Sequence, residues 1–267
     1  PIDALFHSTS GGSTLDAAEV FGKAVPYLVG VDDPHSALSP VHRWGPTPVA
    51  EPALRKGLKL RASVSALTLT RAPSGRVASV RVATAAGTTT VTGATLRFAG
   101  GLRSTWITRL ATLSLTRPGG PVVYGGAVAL RGRAAGVKGA LVQQRVEGVW
   151  TNVGGPGLRP KVKLLGPATF RLAAGTLAGA VLRVPVAPRV TVRASGPLAI
   201  AGTVTPLDPG TAVELQREVD GRWETVAETA TGVEGEYTLA VPEPGRYRAR
   251  VAPVQGFAEG LSAGIVR

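Results

Sequence analysis

The 267-residue chain contains neither cysteine nor methionine. Without cysteine there is no disulfide framework and no thiolate metal site, so packing and hydrogen bonding alone must hold the fold. Without methionine, a sequence beginning at Pro1 is expected to have lost an upstream segment, and a secretion signal with it. Aromatic residues make up only 5% of the chain. No apolar run approaches the ~18 residues that a membrane-spanning helix needs. Acidic residues nearly vanish from one stretch: between 108 and 187, Glu147 stands alone against 11 basic residues.

What the chain does have is glycine and proline, 35 and 21 residues. Together they are about a fifth of the chain, against roughly 12% in average proteins. That composition excludes a helical bundle or coiled coil and predicts many short strands joined by turns. An apolar share of 44% excludes a disordered chain. At ~150 residues per domain the length suits two domains, or three if they are small β modules. The net charge of +13 falls in steps, +5 over residues 1–107, +10 over 108–187 and −2 over 188–267. Such steps predict separate modules, the middle one attractive to polyanions.

The second half repeats itself. Leu141-Val-Gln-Gln-Arg145-Val-Glu-Gly-Val-Trp150 returns as Val213-Glu-Leu-Gln-Arg217-Glu-Val-Asp-Gly-Arg-Trp223. Each copy reads as a strand ending in Gln-Arg, a tight turn at Gly148 or Gly221, and a returning strand that opens with Trp. Val128–Gly132 parallels Leu198–Gly202, and Thr169–Leu172 parallels Tyr237–Leu239. Val181–Val184 and Tyr247–Val251 read as the closing strands. Alternating strands in units of about 80 residues predict two small β-sandwiches. Trp150 and Trp223 could stack on a sugar or a base, but a Trp at one place in both copies is expected to pack in the core or the hairpin. Val186–Pro188 reads as a short, semi-rigid linker. The tandem is similar to the Ig-like modules appended to many bacterial surface and cell-wall proteins.

The first hundred residues differ. Phe6–Ser10 read as a strand end running into a bend at Gly11-Gly12. Ser13 with Asp16 reads as the start of a short helix that Gly22 stops. Asp32-Asp-Pro-His35 reads as a turn. Leu67–Arg71 and Gly75–Val82 alternate as strands around a turn at Pro73-Ser-Gly75.

Five elements in this order resemble the C-terminal portion of the stage II sporulation protein D (SpoIID)/LytB domain, a group of peptidoglycan lytic transglycosylases and amidase enhancers. They are His7-Ser-Thr-Ser-Gly-Gly12, Pro26-Tyr-Leu28, Val31-Asp-Asp33, Ser74-Gly-Arg76 and Leu102-Arg-Ser-Thr-Trp106. The match covers about residues 1–108. The resemblance implies a secreted, wall-associated protein in which His7, Ser8, Thr9, Ser10, Gly11 and Gly12 line a glycan cleft. It also implies that the catalytic Glu lies upstream, because neither Glu19 nor Glu51 sits in the family's acidic motif. Glycosidic cleavage needs a carboxyl proton donor, so this chain is expected to carry no catalytic residue and to act, if at all, with its own upstream half. Some relatives bind zinc near this motif through Cys and His. Here Ser10 stands where a Cys can stand, so no zinc or other cofactor is expected.

Competing chemistries are weaker. His7, His35 and His42 with Asp32 and Asp33 fit no helix-borne metal pair. Adjacent Ser and His on a strand face opposite ways, and no Gly-x-Ser-x-Gly elbow is present. The basic middle stretch carries no nucleic-acid-binding motif, so peptidoglycan or an anionic wall polymer is the expected partner, and nucleic acid is not. The expected architecture is an α+β remnant of a SpoIID-like domain at 1–107 and two all-β, Ig-like sandwiches at 108–187 and 188–267. An extracellular or cell-wall location follows from the resemblance. The alternative is a structural surface or appendage subunit that self-assembles through sheet edges.

Overall fold

The computed structural model describes residues 9–117, 119–155 and 157–267. The chain is mostly β and separates into two compact units, Pro1–Ala111 and Thr112–Arg267.

In the first unit, strands β1 (Val64–Arg71), β2 (Val77–Thr84) and β3 (Gly87–Thr92) form an antiparallel meander in chain order. The hairpin between β1 and β2 turns where the sequence places it. The Gly75 N–H donates to Ala72 O at 2.8 Å, and Gly75 takes φ +82°, which favours glycine. Helices α1 (Ala17–Phe21), α2 (Glu51–Gly57) and α3 (Gly93–Ala99) accompany the sheet. The expected cap on α1 is corrected: Asp16, not Ser13, is its N-cap and accepts from Ala18 N at 2.7 Å, while Ser13 bridges to Asp32. Gly22 ends the helix in the left-handed conformation, as its position suggests. Val80 and Val82 of β2 pack with Leu54, Leu58, Leu96 and Ile107 in the core. Gly57 lets α2 approach α3 so closely that a Cβ there would sit 2.8 Å from Ala99.

The second unit contains the duplication. Within 112–187, Thr112–Thr116 pairs with Arg131–Ala135, and Ala127–Ala129 pairs with Lys161–Lys163. A second sheet runs Val149–Asn152, Leu141–Val146, Ala168–Ala174 and Leu182–Val184, antiparallel throughout. Within 188–267, Ala199–Thr205 lies between Glu236–Ala240 on one side and Arg189–Val190 and Arg193–Ala194 on the other. The larger sheet runs Arg222–Ala230, Ala212–Val219, Arg246–Val251, then Gly260–Leu261 and Ile265–Val266. The two strand orders are the same. Each pair of sheets encloses its own apolar cluster, around Phe170, Leu172 and Leu130 in one and Tyr247, Leu215 and Ile200 in the other. These are Ig-like β-sandwiches.

Both hairpins turn on two left-handed residues, Glu147-Gly148 (φ 48° and 85°) and Asp220-Gly221 (φ 49° and 76°), the geometry that suits a twisted two-residue loop. This alignment corrects the sequence register. Gln143 lies opposite Asn152 and Gln216 opposite Thr225, so Gln143, not Gln144, is the counterpart of Gln216. Past this pair the second copy also bulges, leaving Val226 of the returning strand unpaired between Leu215 and Gln216. The later pairings also slip, by a whole strand. Ala168–Ala174 corresponds to Arg246–Val251, because each pairs with the first hairpin strand. The counterpart of Glu236–Ala240 is the three-residue strand Lys161–Lys163, too short to show an alternation. Val186–Pro188 is not a linker: Val186–Ala187 is a strand paired parallel with Val122–Val123, and Val186 O accepts from Ala258 N at 2.8 Å. Phe257 packs against the middle module's core.

Two tyrosines lock the last sandwich. Tyr247, fully buried at the start of its strand, donates its hydroxyl to Glu243 O at 2.5 Å, the tyrosine-corner arrangement. Tyr237 donates to Thr191 O at 2.5 Å across Gly202, whose missing side chain makes room for both groups. Burial raises the Tyr237 phenol well above its ordinary pKa.

Candidate functional site

Of the six expected cleft residues, His7 and Ser8 lie outside the described residues. The other four, Thr9 to Gly12, form a bend whose polar groups are turned inward. Thr9 Oγ1 donates to Ser36 O at 3.3 Å and accepts from Gly11 N at 3.3 Å. Ser10 Oγ donates to Asp33 Oδ2 at 2.6 Å and accepts from Gly12 N at 3.3 Å. Gly12 O accepts from Asp33 N at 2.9 Å. Asp33 is therefore a clamp: its other oxygen accepts from Ser36 N at 3.2 Å and caps the short helical turn Pro34–Leu38.

Three residues quoted in the sequence only as motif members prove central. Arg76, at the end of the β1–β2 turn, is buried and donates to Ser10 O and, at 3.4 Å, to Ser13 O. Its guanidinium lies 5.2 Å from the Trp106 ring centroid. Trp106 fits between two glycine turns, since a Cβ on Gly11 would stand 3.6 Å from the ring and one on Gly75 3.4 Å. Burial pulls the Arg76 guanidinium below its ordinary pKa, and the charge of Glu19 opposes that effect. Glu19 accepts from Ser74 N at 3.0 Å and from Ser74 Oγ at 2.6 Å.

Most donors and acceptors of the cluster are engaged within it, but Arg76 Nε is buried with no hydrogen-bond partner among the described residues. Both Glu19 oxygens accept hydrogen bonds from Ser74, which ties this carboxyl to the β1–β2 turn. Glu51 accepts from Val64 N at 3.0 Å and serves the backbone. His42 Nδ1 lies 3.4 Å from Ser36 Oγ, and His35 sits in the capped turn. Among the described residues, no three His, Asp or Glu side chains gather where a metal ion could be held.

Arg76 carries a direct prediction. Arg76→Ala removes the donor from two carbonyls and the cation from the indole, and is expected to cost the first unit about 2–3 kcal/mol. Urea denaturation, with a shift of the Trp106 emission in the folded state, would show it.

No protein-family model and no curated protein matches the chain. Among solved structures, it is similar to a segment of two fibronectin type III domains from chicken tenascin. That match has 17% identity and a TM-score of 0.32, covering 58% of this chain and 95% of that one. A cytokine receptor complex matches at 14% identity and a TM-score of 0.31, over 58% of this chain and 94% of that one. A tetra-tandem repeat from the extending region of a large adhesion protein matches at 14% identity and a TM-score of 0.27, over 70% of this chain and 55% of that one. The sandwich assignment rests on the strand pairings rather than on these likenesses.

The tryptophans of the duplication belong neither to the core nor to a bare platform. Each is half-buried on the outer face of the larger sheet under an arginine from the neighbouring strand pair. Arg171 lies 4.2 Å from the Trp150 centroid, and Arg248 lies 4.3 Å from that of Trp223. A glutamine holds each arginine by its Nε, Gln143 at 2.8 Å and Gln216 at 2.9 Å. The repeated signal is thus a Gln–Arg–Trp stack. The sequence shows the glutamine and the tryptophan but not the arginine, because the spacing to Arg171 and Arg248 differs by four residues between the copies.

Proposed function

We propose that the chain is a non-catalytic, surface- or wall-associated modular protein. Its sandwiches make contacts and set distance, and its first unit contributes a binding wall rather than a reaction centre. The observation that carries this reading is the closure of the Thr9–Gly12 bend. Ser10 and Asp33 bond each other and backbone N–H groups, Arg76 Nη2 donates to Ser10 O, and Glu19 accepts from Ser74, as residues of a scaffold do, while the buried Arg76 Nε has no partner among the described residues. The location follows from the resemblance and the basic middle module. No helix among the described residues is long and apolar enough to cross a membrane.

The finer reading is that residues 1–107 are a C-terminal segment of a SpoIID/LytB-like domain whose catalytic acid lies upstream. One observation supports it. Elements distant in sequence, the Ser-Gly-Gly bend, Asp33, Ser74–Arg76 and Trp106, meet in one cluster, as they would if they formed one unit in that family. The appendage-subunit reading has a specific observation against it. The nine-residue edge strand Arg222–Ala230 pairs on one side only and carries Arg222, Glu224 and Glu228, charges that discourage edge-to-edge assembly.

Purified peptidoglycan sacculi provide the test. The chain is expected to sediment with them and to be released by raised salt, as surface electrostatics require. A chain that stays in the supernatant at low salt removes the wall from this proposal.

A further inference from the structure

The outer faces of the two sandwiches carry the same tryptophan in opposite electrostatic settings. In the last module a row crosses the larger sheet as Trp223, Glu218, Arg246 and Val266. Glu218 and Arg246 pair at 2.8 Å, Gln216 accepts from Arg248 at 2.9 Å on the next row, and on the row beyond it Glu214 and Glu259 hold Arg250 at 2.7 and 2.6 Å. The bond from Arg250 keeps the Glu214 carboxyl below its ordinary pKa. Arg246 and Arg250 on this face are therefore each paired with carboxylates.

In the middle module the corresponding row reads Trp150, Arg145, Thr169 and Arg183. Trp150 faces Arg145 across the hairpin, and Thr169 faces Arg183 on the adjacent strand. Here an arginine replaces the glutamate, and no carboxylate lies on the row. Glu147, the one acidic residue of the stretch, sits in the hairpin turn. Arg145 donates only to Gly148 O, at 3.3 Å, and Arg183 has no ion-pair partner among the described residues. Together with Val181 these side chains line an open groove of about 690 Å³. At ~4.8 Å between strands the row is roughly 14 Å long.

We infer that this groove is a binding site for an acidic carbohydrate. The side of the indole not covered by Arg171, with Val181 beside it, suits the C–H face of a sugar ring. Thr169 can bond a hydroxyl, and Arg145 and Arg183 stand where a carboxylate on the same or the next sugar would fall. A row with a single aromatic does not suit successive stacked bases, which need several. The inference deepens the proposed surface role by naming a ligand chemistry, and it rests on that reading only for where such a polymer is met. Soluble ligands therefore test the groove whether or not sacculi retain the chain.

The test uses the full chain, titrated with a short galacturonate oligomer and followed by tryptophan fluorescence and calorimetry. A neutral galactose oligomer, poly(glycerol phosphate) and single-stranded DNA serve as comparisons. Galacturonate is expected to bind, and the neutral oligomer to bind far more weakly. Arg145→Glu/Arg183→Glu is expected to weaken binding about 10-fold or more, and Trp150→Leu to weaken it as well. Lys161→Glu/Lys163→Glu makes the same change in net charge on the module's other sheet, and is expected to weaken binding only about 2-fold. Thermal melts matching the parent chain show that the variants remain folded. Equal losses from the two double variants, or no galacturonate binding, would overturn the inference. So would DNA or poly(glycerol phosphate) binding as tightly as galacturonate with no effect of Trp150→Leu.

Discussion

Gly93→Ala is expected to destabilise the first unit by about 3 kcal/mol or more, and to leave little folded protein if the sheet cannot adjust. A Cβ at this position would fall 1.8 Å from Val77 O and 2.8 Å from the Val77 carbonyl carbon. Those atoms are backbone, and they are held: Val77 N donates to Thr105 O at 2.9 Å, and Val77 pairs with Arg71. The other side of the contact is also fixed. Gly93 opens α3 directly after β3, and Thr92 caps the helix by accepting from Thr95 N at 3.1 Å. Neither partner can retreat without losing a cap or a strand pairing. Gly166→Ala is the control, since nothing lies within 4 Å of a Cβ there and its φ is not left-handed. It should change stability by less than about 0.5 kcal/mol. Urea denaturation of the two variants beside the parent chain measures the difference.

The second large effect is expected at Tyr247, where two substitutions separate two causes. Tyr247→Ala empties a fully buried aromatic site in the core formed with Leu215 and Ile200, and should cost about 3–5 kcal/mol. Tyr247→Phe keeps the ring and removes only the hydroxyl that bonds Glu243 O at 2.5 Å. Its cost should be about 1 kcal/mol, with the carbonyl left to find another donor. If the Phe variant proved as damaging as the Ala variant, the tyrosine corner rather than core volume would dominate this sandwich. Denaturant midpoints at unchanged slope give both values.

The sequence reveals elements best where period and turn chemistry agree. Pro73-Ser-Gly75 between alternating runs places the β1–β2 hairpin, and Glu147-Gly148 and Asp220-Gly221 place the two later ones. It fails where strands are short or lack large apolar residues. The third strand of the meander, Gly87–Thr92, is mostly threonine, and Lys161–Lys163 has one apolar residue, so neither shows a period. That second gap is what shifts the repeat by a strand. The linker reading of Val186–Pro188 fails for a related reason: a two-residue parallel pairing leaves no sequence trace. At the candidate site, the Ser-Gly-Gly bend is visible as a bend, but its partners stand 23 and 66 residues away, at Asp33 and Arg76. Nothing local ties a turn arginine to a distant carbonyl. Only the order of the motifs suggests that these segments belong together.

The charge steps, by contrast, carry information that the fold turns into geometry. An excess of arginine over 108–187 becomes a row on one sheet face with no acid to answer it. The deficit over 188–267 becomes the glutamates that close the equivalent face. The same architecture is used once as a neutral surface and once as a cationic one.

The first unit is expected to grip peptidoglycan without cutting it, and digestion products decide this. Purified peptidoglycan is incubated with the chain, and the soluble fraction is read by mass spectrometry for anhydro-muropeptides. The chain is expected in the pellet, with no anhydro products above the protein-free control. Release of those products by the parent chain, lost in Glu19→Gln, would contradict it and make Glu19 the acid.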